Sequence, residues 1–122
     1  MKNLIKIVMM FVLAFVVTTT VMTQTEVHAD ASVSSNKAAV YKVAKQQYGW
    51  GSTQAKYLNK IISRESGWNV NARNGRYVGL FQTTNVRSRT ATGQAKQGLR
   101  YIQARYGTPH QAWNHALRTG WY

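Results

Sequence analysis

Residues 52–82 read STQAKYLNKIISRESGWNVNARNGRYVGLFQ. Leu58, Ile61, Ile62 and Glu65 recur at i, i+3, i+4 and i+7, the spacing of one helical face, so residues 52–65 are predicted to form a helix. Gly67 stands where a left-handed residue ends such a helix. Asn74-Gly75 is a favoured pair for a tight type I′ turn, with VNAR before it and RYVGLF after it. Residues 69–82 are therefore predicted as a small β-hairpin or a tight irregular excursion. The fold class that follows is mainly α (α+β), with one small β-hairpin element.

Glu65 is the residue in this stretch with chemical promise. Its helical neighbours three, four and seven positions back are Ile62, Ile61 and Leu58, so the helical period turns its carboxyl toward the apolar face. Desolvation there favours the protonated acid, and so does the negative end of the helix dipole; Arg64 and the general positive field act in the opposite direction. A carboxyl that keeps its proton near neutrality is a general acid. The simpler alternative is a solvated Glu at a helix end, the commoner fate of this residue type. The phase of the stripe argues against it, and so does the scarcity of acids.

That scarcity shapes the chemistry. The 122-residue chain carries 16 Lys plus Arg and only three carboxylate side chains, Glu26, Asp30 and Glu65, for a net charge of +13. Ordinary glycosidases need two carboxylates flanking the scissile bond. With one, the substrate has to supply its own nucleophile. The absence of Cys excludes disulfides, iron–sulfur clusters, zinc fingers and cysteine nucleophiles. His110 and His115 are five apart and do not share a helix face as i, i+4 metal ligands do. No Asp is placed to complete a Ser-His-Asp triad. No metal and no cofactor is expected.

Outside this stretch three more helices are predicted. Residues 37–48 present Val40, Val43, Ala44 and Gln47 and stop at Gly49. Residues 94–106 present Ala95, Leu99, Ile102 and Tyr106 and stop at Gly107. Thr108 and Pro109 read as N-cap and N1 of a helix to about Arg118, ended by Gly120. Residues 83–93 are polar and aperiodic and are read as loop, with Arg87, Arg89 and Lys96 as a solvated basic face or a contact for wall polymers.

The N-terminus has the form of a secretory leader. Lys2 and Lys6 precede IVMMFVLAFVV (residues 7–17), an apolar run too short to span a bilayer, and small residues follow at Ala29 and Ala31. Residues 1–29 are expected to be a signal peptide cleaved after Ala29, or after Ala31. Residues 30–36 would then be a flexible lead-in, and 37–122 the folded domain. Cleavage after Ala29 leaves 93 residues, of which 14 are Lys or Arg, against Asp30 and Glu65, a charge of +12. Secretion with that charge favours anionic envelope partners, teichoic acids or anionic lipids, over nucleic acid. A small domain without cross-links should be only marginally stable.

Two motifs and the tail resemble a known family. Glu65-Ser66-Gly67-Trp68-Asn69 followed by Gly79-Leu80-Phe81-Gln82 resembles the Glu-Ser and Gly-Leu-x-Gln signatures of lytic transglycosylases. The run from Tyr101 to Tyr122, YIQARYGTPHQAWNHALRTGWY, is similar to the C-terminal domain of secreted aggregation-promoting-factor-like proteins. The resemblance covers residues 57–122. It implies a lysozyme-like fold and cleavage of the MurNAc–GlcNAc bond of peptidoglycan to 1,6-anhydroMurNAc ends, with Glu65 as sole acid/base. It further implies that Ser66 and Gln82 belong to the substrate site, that Tyr101 stands near the acid, and that Trp113 and Asn114 face it from another helix. Tyr77-Val78 stand where the family has Gly-Ala, and the segment between Gln82 and Tyr101 is short. The implied protein is a monomer, cell-wall associated, with no membrane anchor after cleavage. Two rivals are a cationic wall-binding or bacteriocin-like protein without turnover, and a hydrolytic muramidase.

Overall fold

The computed structural model describes residues 23–122. The apolar run of the leader lies outside them. The elements are α1 (Thr23–Tyr48), α2 (Ser52–Ser66), β1 (Arg73–Asn74), β2 (Tyr77–Val78), α3 (Ala91–Tyr106) and α4 (Pro109–Thr119). The mainly helical class with one small antiparallel hairpin is what the structure has. Helix α1 packs on α3 and on α2, and α4 packs on α2 and α3. The predicted apolar stripes meet at the centre: Val40, Val43 and Ala44 of α1, Leu58, Ile61 and Ile62 of α2, and Ala95, Leu99 and Ile102 of α3 are all buried. Gln47 alone among the predicted α1 stripe faces solvent.

Three boundaries differ from expectation. Residues 30–36, expected as a lead-in, are helical, because Val33 packs on the core and Asn36 Nδ2 donates to the Trp68 carbonyl at 2.9 Å. Helix α3 begins at Ala91 rather than Gln94, because Thr90 caps it: its Oγ1 accepts from the Gly93 amide at 3.1 Å. The hairpin is offset by one residue. Asn74 pairs with Tyr77, so Gly75 and Arg76 form the turn, and Gly75 has positive φ while Asn74 does not. Asn74 stays in the strand because its side-chain amide is committed inward, donating to Gln82 Oε1 at 2.9 Å. Thr108, Pro109 and Gly120 bound α4 as predicted, and Gly67 ends α2 at φ 60° with its amide on the Ser63 carbonyl. Among the described residues no helix is long and apolar enough to cross a membrane.

Candidate active site

The Gly79–Gln82 segment is tied at every residue. Gly79 N donates to Ala72 O at 2.8 Å. Leu80 N donates to Gln94 Oε1 at 2.9 Å, and Leu80 O accepts from Ser66 Oγ at 2.8 Å. The Phe81 carbonyl accepts from the Tyr122 hydroxyl. Gln82 Nε2 donates to Ala72 O and Gly79 O, while its Oε1 takes the Asn74 amide. This segment thus joins α2, the hairpin, α3 and the C-terminal residue. Trp68 and Gln82, one in each signature, hold φ of 65° and 50°. The left-handed region costs a non-glycine residue about 1–2 kcal/mol, so the surrounding bonds over-determine both positions.

Glu65 lies at the last turn of α2 and is 5% exposed. The helical period put it on the apolar face, and there it is. Arg64, its neighbour in sequence, is committed elsewhere: Nη2 donates to the Gly120 carbonyl at 2.9 Å and the guanidinium lies 5.9 Å from the Trp113 ring centre. Glu65 acts electrostatically on Tyr122, whose ring is buried and stands edge-on to Tyr101 at 5.7 Å. Tyr101 and Gln82, with Arg76, Tyr77, Thr83, Thr84 and Gln97, line an open cavity of about 270 Å³.

The predicted site residues therefore divide. Gln82 and Tyr101 line this cavity; Glu65 is not among its lining residues. Gln82 does so with its amide fully bonded inside the protein, so it shapes the wall. Ser66 is buried and anchors Leu80, a positioning role instead of substrate contact. Trp113 and Asn114, half-buried on α4, are not among the cavity's lining residues; Trp113 lies between Lys60 and Arg64. Gln94, which with Lys96, Gly98 and Leu99 fits the family pattern before Tyr101, carries no predicted site role. It is buried, and its Nε2 donates to Val70 O and Ser88 O while its Oε1 takes Leu80 N. The signal was its place one turn before Gly98 on the inner face of α3. Among the described residues no group of three His, Cys, Asp or Glu stands together.

Burial raises the Tyr122 phenol well above its ordinary value of 10.0, and the Glu65 charge, Tyr101 and Tyr106 add to the rise. Burial likewise raises Tyr41 and Tyr106. The unfolded chain releases the Tyr122 proton near pH 10, whereas the folded chain retains it. Stability is thus full below pH 10 and falls as pH rises from there toward the folded-state value, by about 1.4 kcal/mol per pH unit from Tyr122. Urea unfolding at pH 9 and 11 checks this. Tyr122→Phe should be the less stable protein at pH 9, having lost the bond to the Phe81 carbonyl, and should lose less than the wild type between the two pH values. An equal loss in both proteins would contradict the assignment.

Comparisons of the chain with protein families, with curated proteins and with solved structures found no match.

Proposed function

We propose that this chain is a secreted, wall-associated peptidoglycan lytic transglycosylase with Glu65 as its single acid/base. The observation that carries the reading is the burial of Glu65 at the end of α2, next in sequence to Ser66, whose hydroxyl holds Leu80 of the Gly79–Gln82 segment in place. Residues 31–122 contain no second side-chain carboxylate. A water-using pair of acids would lack its second member within residues 31–122, which favours a substrate that supplies the nucleophile.

The steps balance without water. Glu65 gives its proton to the GlcNAc O4 as the bond from MurNAc C1 breaks, with the MurNAc acetamido oxygen supporting the developing positive charge at C1. The MurNAc C6 hydroxyl then bonds to C1, and its proton passes to the Glu65 carboxylate, restoring the acid. The product is a 1,6-anhydro end, and no metal or cofactor takes part. The cavity of Tyr77, Gln82 and Tyr101 is the place where a sugar ring finds an aromatic wall and fixed backbone.

Mass spectrometry of the soluble muropeptides released from purified peptidoglycan tests the reading. Anhydro-ended fragments are expected. Hydrated reducing ends would make the protein a muramidase, and wall binding without release would leave a cationic wall binder.

A further inference from the structure

We infer that the hairpin and the loop after it form a binding trough for a flexible phosphodiester polyanion, bordering the aromatic cavity proposed for the sugar. Two adjoining cavities form the trough, and the aromatic cavity borders them. The aromatic cavity shares Arg76 and Thr84 with a second, of about 440 Å³. The second shares Arg73, Val78 and Val86 with a third, of about 330 Å³, which ends at Arg87 and Arg89. The hairpin thus supplies Arg73 and Arg76, and the loop supplies Arg87 and Arg89, to two adjoining cavities that share Arg73. All four are exposed.

Their charge has no counterpart nearby in the sequence. Glu65 is the one side-chain carboxylate of residues 31–122, and it is buried. Four neighbouring guanidinium groups repel one another, and an extended anion relieves that repulsion along the trough. Arg presents a planar fork of donors that matches phosphate oxygens in pairs, while Lys acts as a point charge. Thr84, Asn85 and Ser88 add polar groups to the floor. Single-stranded nucleic acid is also a phosphodiester, but it needs rings on which bases stack. The second and third cavities have no aromatic residue in their lining. The chemistry that fits is a polyol phosphate, with one charge per small, flexible, non-aromatic repeat. The trough stands whether or not Glu65 is catalytic.

The test is fluorescence anisotropy of labelled poly(glycerol phosphate) with the purified chain at physiological salt. Combined Arg73→Gln, Arg76→Gln, Arg87→Gln and Arg89→Gln should weaken binding at least about tenfold. Combined Lys42→Gln, Lys45→Gln, Lys56→Gln and Arg118→Gln remove the same charge from exposed positions elsewhere and should cost less than about threefold. The loop pair Arg87→Gln and Arg89→Gln, which leaves the hairpin intact, should by itself weaken binding more than that control set. Equal losses in the trough and control variants would overturn the proposal, since net charge would then explain the binding. So would an oligothymidylate that binds as tightly with the same dependence on the four arginines.

Discussion

Gly98→Ala is expected to destabilise the protein by about 2–3 kcal/mol, the range for an overpacked core. A helical glycine exchanged for alanine ordinarily gains up to about 1 kcal/mol, because alanine loses less backbone freedom. Here the added methyl group would stand 2.3 Å from Phe81 Cγ and Cδ2, closer than any carbon pair tolerates. Phe81 has no open side to retreat toward: it is 2% exposed, and its carbonyl is held by Tyr122. The overlap therefore outweighs the helix propensity. In a domain this small, 1 kcal/mol moves the unfolding midpoint by about 4–8 °C, so a fall of about 10–20 °C is expected. Gly93→Ala is the contrast. Its methyl group would meet Ser88 Oγ at 2.0 Å and Ser88 Cβ at 2.4 Å; rotation relieves only the first, so the loop before α3 has to shift, and a loss smaller than that of Gly98→Ala is expected because that loop lies near the surface. Phe81→Leu added to Gly98→Ala should recover part of the loss, since it removes the ring atoms that clash. Thermal unfolding of the four proteins measures this. A Gly98→Ala protein as stable as wild type would show that α3 and the Gly79–Gln82 segment do not pack as closely as described.

The sequence made the helices legible because three of the four carry an uninterrupted aliphatic stripe with a glycine after it. Position Glu65 was legible for the same reason: one acid in phase with Leu58, Ile61 and Ile62 has to point where they point. What resisted reading was whatever depends on partners distant in sequence. Thr90 capping extends α3 into a stretch that looks like loop. Asn74 is drawn into the strand by Gln82, eight residues on, and so the turn shifts by one. Asn36 and Val33 turn an apparently featureless lead-in into helix; both are in phase with Val40, but the small polar residues around them mask the period. Gln94, Ser66 and Gln82 divide the polar work of the site by bonding to backbone carbonyls and amides. No local pattern distinguishes such residues from side chains meant for a ligand, which is why Ser66 reads as a substrate contact although in the structure its hydroxyl bonds the Leu80 carbonyl.

Glu65→Gln should abolish glycan cleavage while leaving the protein folded. A positioned proton donor or acceptor contributes about 10²–10⁴-fold to a rate. In the reaction proposed here one carboxyl fills both roles in succession, and residues 31–122 hold no other to substitute for it. The loss should therefore stand at the upper end, about 10⁴-fold, in kcat rather than KM. The amide keeps the shape of the side chain and removes an ionisable group from a site that is 5% exposed. Stability should change by less than about 1 kcal/mol. Glu65→Asp sharpens the test. It retains the acid and withdraws it by one methylene, and a displacement of about 1 Å in a reacting group costs about 10²-fold. The order wild type, Asp, Gln in turnover, with three similar unfolding curves, is the result that makes Glu65 the catalyst. Release of anhydro-ended muropeptides by the Gln variant at more than a tenth of the wild-type rate would remove Glu65 from the reaction. An inactive variant that had also lost its fold would make the residue structural, and the Asp variant would then be expected to unfold with it.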